Sequence, residues 1–142
     1  MRRGREGCSS GLGSYALDTS VLLHHRYAPS DLTEALISSG IINLVTLSEV
    51  LYIVCRGEDS SKALSYVEEL AEKGRLAPSE RVAPVAGQFK CRFPVSLADA
   101  WVLATGKVMD LPCLFAHREK GLVSHITAIS REVEVRFLDE LL

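Results

Sequence analysis

The chain opens with a polar, glycine-rich stretch and then falls into short apolar runs separated by longer segments of helical period. Tyr15-Ala16-Leu17 is the first apolar run and ends abruptly in Asp18-Thr19-Ser20, which predicts a short strand followed by a turn. Val21 to His25 continues as helix until Pro29. Ser30 or Asp31 caps a second helix through Ile37, stopped by Ser38-Ser39-Gly40. Ile41 to Val45 is β-branched and reads as a buried strand. Thr46 to Arg56 is the next helix, with Gly57 as its stop.

The clearest amphipathic helix runs from Asp59 to Lys73, where Ala63, Leu64, Val67, Leu70 and Ala71 recur at three and four residues before Gly74. A brief strand follows at Arg75–Ala77. Ser79 to Lys90 is helical in pattern, with Pro84 expected to kink it or to sit in its first turn. Ser96 to Lys107 carries Leu97, Ala98, Trp101, Val102 and Ala104 at helical spacing. Pro112 to Phe115 reads as a buried strand, Arg118 to Val123 as a short helical turn, and Val133 to Leu138 as an alternating edge strand. Short strands alternating with helices imply right-handed crossovers, hence an α/β fold around a mostly parallel sheet. Ligands in such sheets bind at the carboxyl ends of the strands.

Four acids stand near those ends. Asp18 directly follows the first strand, and Glu49 lies four residues past the predicted end of the second, in the first turn of its helix. Asp99 is in the first turn of the Ser96 helix, and Glu119 lies four residues past Phe115. Each also has a purely structural role open to it. Asp18 can cap its helix, Asp99 can complement its helix dipole, and Glu49 stands at capping-box spacing from Thr46. Glu119 can be a surface acid. Their joint placement says more. Carboxylates crowded together repel unless a cation lies between them, and Mg²⁺ or Mn²⁺ prefers such oxygen donors. Such an ion activates water and neutralises charge on a phosphodiester, so the pattern points to metal-assisted hydrolysis.

Composition narrows the setting. At 142 residues the chain fits one domain, expected over residues 15–142 behind a loose tail at residues 1–14. A hydrophobic content of 47% and a charged content of 24% are ordinary for a globular protein, and the net charge of −2 argues against gripping nucleic acid by bulk electrostatics. Cys8, Cys55, Cys91 and Cys113 form no CxxC pair, so buried free thiols at Cys55 and Cys113 are expected rather than a zinc site. No apolar run approaches membrane-spanning length, and the basic start lacks the apolar core of a secretory signal, so a cytoplasmic protein is expected.

Three segments resemble the PIN-domain family, including the VapC-type toxins of prokaryotic toxin–antitoxin pairs. Ala16-Leu17-Asp18-Thr19-Ser20-Val21-Leu22-Leu23 looks like the family's opening strand and Asp-x-Ser turn. Leu44-Val45-Thr46-Leu47-Ser48-Glu49-Val50 looks like the entry to its glutamate-bearing helix. Val95-Ser96-Leu97-Ala98-Asp99-Ala100 looks like its Ser-x-x-Asp-Ala helix start. The resemblance implies a three-layer α/β/α fold and a Mg²⁺- or Mn²⁺-dependent endoribonuclease. It also implies a homodimer and, for the toxin branch, an antitoxin partner.

By that resemblance the catalytic and metal-binding acids are Asp18, Glu49 and Asp99, with Thr19, Ser20 and Ser96 orienting them. The fourth position departs from the family. His117 stands near where an aspartate is usual and Glu119 follows two residues later, so Glu119 is favoured, His117 second and Asp110 last. That departure keeps a second reading open, a catalytically weak or inactive PIN-like module that binds RNA or a protein partner.

Other residues fill out the picture. Lys90, Arg92 and Arg118, with Arg56, Lys107 and Lys120, are the candidates for an RNA-holding rim, although scattered basic residues are commonly solvated surface. His24 and His25 read as structural or exposed, and Trp101 and Phe115 as core. A receiver-like signalling domain would require an acidic pair before its aspartate and a lysine after a late strand, and neither is clear here. No GxGxxG or Walker motif is present.

Overall fold

The computed structural model describes residues 13–142 and contains five short strands, of which the three central ones are fully buried while the two at the edges are not. They are β1 Ala16–Leu17, β2 Ile41–Ile42, β3 Arg75–Leu76, β4 Cys113–Phe115 and β5 Val135–Phe137. They form one five-stranded sheet in the order β3-β2-β1-β4-β5, and every pairing is parallel. The expected tail falls almost wholly outside the described residues, as does Cys8.

Alternation along the strands feeds two separate cores. Ala16, Ile41, Cys113 and Phe115 face a core completed by helices α5 (Ser79–Arg92), α6 (Leu97–Met109), α7 (Lys120–Val123) and α8 (Ile126–Ser130). Leu17, Ile42 and Leu114 face the other, completed by α1 (Thr19–Tyr27), α2 (Asp31–Ser38), α3 (Leu44–Gly57) and α4 (Ser60–Lys73). The result is a three-layer α/β/α fold, and strands buried on both sides explain why they read as unbroken apolar runs. A 3₁₀ turn, Leu138–Leu141, closes the chain.

Local chemistry explains where the elements begin. Ser30 caps α2 through a reciprocal box with Thr33, Asp59 caps α4, and Ser96 caps α6. Against the sequence expectation, Leu44 and Val45 belong to α3 rather than to β2. The Asn43 side chain accepts the Thr46 N–H at 2.8 Å and starts the helix there, so Glu49 sits in its second turn. Pro84 lies inside α5, beyond its first turn. The helical turn expected at Arg118 begins only at Lys120, and α8 was not apparent from the sequence pattern. Cys113 is buried, whereas Cys55 is only half-buried.

Gly106 fixes how closely α6 approaches the sheet. A Cβ there would meet Cys113 Sγ at 2.4 Å and the Leu111 carbonyl oxygen at 2.7 Å. Only glycine permits that approach, and it seats the helix that carries Asp99 directly over β1 and β4.

Candidate active site

The parallel sheet directs the loops after β1 and β4 to one end of the molecule. There Asp18, Glu49, Asp99 and Glu119 line a single pocket of about 560 Å³ together with Thr19, Ser20, Ser96 and His117. Asp18 is the N-cap of α1, and its Oδ2 accepts from the Ser20 N–H at 3.0 Å and from the Ser20 hydroxyl at 2.6 Å. That hydroxyl in turn accepts the Ala116 N–H at 2.8 Å. Ser20 thus ties the first acid to the segment leading from β4 to His117 and Glu119.

A second tie crosses from α1 to α3. The Thr19 hydroxyl donates to Glu49 Oε1 at 2.6 Å, fixing that longer side chain beside Asp18. Asp99 is held differently, by its backbone. Its N–H donates to Ser96 Oγ at 3.0 Å, which places it in the first turn of α6. Glu119 occupies the N-cap position of α7 without a side-chain capping bond and is exposed.

Electrostatics records the crowding. Asp18 and Asp99 are 6% and 8% exposed. Burial raises the Asp18 pKa, the bonds from Ser20 oppose that rise, and Glu49 and Glu119 add to it. Burial likewise pushes Asp99 up to about 7, reinforced by Asp18, Glu119 and Glu49. These acids feel one another, which four unrelated caps would not do.

The donor set fits a hard divalent cation, since it is all oxygen and its buried negative charge lacks compensation. The bonds from Ser20 and Thr19 engage one oxygen each of Asp18 and Glu49. Among the described residues, no group of three or more His, Cys, Asp or Glu side chains is already closed into a metal cage. The acids therefore share a pocket without yet converging on one point.

The remaining wall comes from residues that the sequence reading did not single out as a site. Leu23, His24 and Tyr27 of α1, its C-cap Ala28, and Ile53 of α3 line the same pocket. With Ser20, positions 23, 24, 27 and 28 follow helical spacing on one face, a signal present in the sequence. His25 points elsewhere. It is buried, with Nδ1 2.7 Å from Thr33 Oγ1, and links α1 to the cap of α2.

None of the six basic candidates lines the pocket. Lys90 donates to the Val95 carbonyl at 2.8 Å and so supports the loop before Ser96. Arg92 and Lys107 both pair with Glu132, and Arg118 pairs with Asp139 and Glu140. Arg56 lies over the Tyr52 ring. Asp110, in a left-handed conformation (φ 57°), caps α6 and lines a different pocket with Lys107 and Glu132. Trp101 packs half-buried against the core, and Phe115 is fully buried.

The family model for the PIN domain matches residues 15–139, nearly the whole described chain. The chain belongs to the PIN-domain family. PIN domains are nucleases, and they generally use divalent metal ions. Solved structures share this PIN fold at low sequence identity. A chain of the DNA-bound VapBC structure from Salmonella typhimurium matches with TM-score 0.68 and 15% identity, covering 89% of this chain and 98% of that one. VapBC2 from Rickettsia felis, bound to a DNA fragment from its promoter, gives 0.66 and 11%, covering 89% and 99%. A toxin–antitoxin complex from Klebsiella pneumoniae gives 0.58 and 17%, covering 78% and 90%. No curated protein sequence matches this PIN domain. No helix among its described residues is long and apolar enough to cross a membrane.

The Thr19 tie yields a first prediction. Thr19→Val should lower cleavage about 10- to 100-fold, the usual cost of losing a group that orients a ligand. Thr19→Ser should restore most of the loss. Single-turnover cleavage at matched thermal stability distinguishes orientation of Glu49 from simple unfolding.

Proposed function

We propose that this PIN domain is a Mg²⁺- or Mn²⁺-dependent endoribonuclease of the VapC type, the toxin partner of an antitoxin. The observation that carries the reading is the placement of Asp18, Glu49, Asp99 and Glu119 around one pocket at the carboxyl ends of parallel strands. Asp18, Glu49 and Asp99 would hold the cation, with Glu119 completing the set from the loop after β4. When bound, such an ion supplies a water of lowered pKa and neutralises charge developing on the phosphodiester.

The chain's own residues do the rest. Ser20 fixes the Asp18 carboxylate, Thr19 fixes that of Glu49, and Ser96 sets the backbone from which Asp99 projects. Burial keeps the pocket's dielectric low, which strengthens each interaction with a developing charge. The VapBC likeness, although it carries only the fold, supports the toxin assignment and an antitoxin partner, and a homodimer is part of the same proposal. A cytoplasmic setting belongs to the same reading.

The test is cleavage of a panel of single-stranded and structured RNAs with Mg²⁺, with Mn²⁺ and with EDTA. Metal-dependent cuts that vanish in EDTA are expected. The open cage and the Glu119 and His117 departure favour one competing reading, a PIN module that binds RNA without cutting it. RNA binding indifferent to EDTA, with no turnover, would select that reading instead.

A further inference from the structure

Among the described residues the pocket's lining contains acids and hydroxyls on one side and no lysine or arginine on any side. A phosphate backbone therefore gains nothing there from the protein's own cations, and the carboxylates repel it until a metal ion intervenes. Among the described lining residues, the other wall is the one that can attract an RNA without a metal ion. That wall is Leu23, Tyr27, Ala28 and Ile53.

Tyr27 stands out on it. Its side chain is exposed, at 60%, among the largest exposures of any apolar or aromatic residue described. It is nonetheless fixed in place. The Tyr27 hydroxyl donates to Glu58 Oε2 at 2.7 Å, and Glu58 is clamped by Arg26, whose Nη2 donates to Oε1 at 2.6 Å. Arg26 is itself set against the Tyr66 ring, 4.9 Å from its centroid. An exposed aromatic ring with its phenol anchored has lost conformational freedom before any ligand arrives, so stacking on it costs little further entropy. Tyr27 lines the same pocket as Asp18, nine residues further along the chain and about 13 Å along the helix axis, so it stands at the opposite end of that pocket from the acids.

We infer that Tyr27, held by Glu58 and Arg26, is a stacking platform for an unpaired nucleobase flanking the scissile phosphate, and that this restricts the substrate to single-stranded RNA. The inference rests on the ribonuclease reading of the same pocket. A duplex keeps its bases paired and stacked on one another, and so offers the platform nothing. Base–aromatic stacking tolerates any base, which makes Tyr27 a determinant of strandedness rather than of sequence.

The experiment measures equilibrium binding of a fluorescein-labelled single-stranded RNA dodecamer and of a blunt-ended duplex formed by that dodecamer and its complement. Ca²⁺ serves as the cation, and the proteins are wild type, Tyr27→Phe and Tyr27→Ala. Tyr27→Ala should weaken the single strand roughly 5- to 150-fold and leave the duplex unchanged, with the unfolding temperature little moved because the ring and its bond to Glu58 are exposed. Tyr27→Phe keeps the ring but loses the anchor to Glu58, so its affinity should fall between those of wild type and Tyr27→Ala. In a series of dodecamers with one abasic position each, wild type and Tyr27→Ala should bind equally when the missing base is the stacked one.

Unchanged single-strand affinity in Tyr27→Ala overturns the platform, as does equal weakening of both RNAs. The former is also the result expected if the wall serves a protein partner instead. Cleavage by the wild type in Mg²⁺ is read in parallel. Its absence with the Tyr27 effect intact would defeat the nuclease reading alone, and its presence with unchanged affinities would defeat the platform alone.

Discussion

Asp18→Asn is expected to slow metal-dependent RNA cleavage by roughly 10²- to 10⁴-fold while leaving the protein as stable as before or more so. Asparagine caps helices as well as aspartate does, so the bond from the Ser20 N–H survives the exchange. What disappears is one negative charge from a buried group that burial and the neighbouring Glu49 and Glu119 already disfavour. Asp99→Asn should behave alike, and the double variant should lose little more than either single one, because the acids act as one unit. Single-turnover rates with thermal unfolding measured alongside provide the check. Wild-type cleavage by either variant would remove the acids from the reaction.

Without a divalent cation, stability should fall as pH rises, and Asp99 should account for a separable share of that fall. Its pKa is raised from the ordinary 3.8 to about 7, so the fold prefers the protonated form. That contribution is fully present below about pH 4, is lost as pH climbs through 7, and is constant above it. The interval sets an upper limit of about 4 kcal/mol. His25 acts in the opposite sense. Burial lowers its pKa, so its contribution is present above 6.5 and fades as the solution becomes more acidic. Comparing wild type with Asp99→Asn cancels that opposing effect. In urea unfolding with EDTA present, the variant should match wild type near pH 4 and exceed it at pH 8. Saturating Mn²⁺ should close the gap by stabilising the wild type. A difference that does not change with pH would contradict the assignment.

The parallel sheet was legible in the chain because strands buried on both faces leave unbroken apolar runs between turn residues, as at Tyr15–Leu17 and Pro112–Phe115. The boundary at β2 was not. Leu44 and Val45 carry the composition of a strand, and only the Asn43 bond to the Thr46 N–H turns them into helix. The short α8 lacks enough length to show a period.

The acids could be named from their positions after strands. Their meeting in one pocket depends on how α3 packs against α1 and α6 against α3 and β1, which local sequence does not encode and which the Thr19–Glu49 bond records in part. The surroundings of the basic residues were not legible for a related reason. Charge is visible in sequence, whereas the partner is not, and Arg92 meets Glu132 forty residues away. The apolar wall at Leu23 and Tyr27 escaped notice because half of a short helix facing a pocket has the same pattern as half facing a core.

Crystals soaked in Mn²⁺ and measured for anomalous scattering test the central claim most directly. A peak among the carboxylates of Asp18, Glu49 and Asp99, with Glu119 turned toward it, is the predicted outcome. No peak in that pocket at saturating Mn²⁺, or one bound only at other surface acids, would contradict the account.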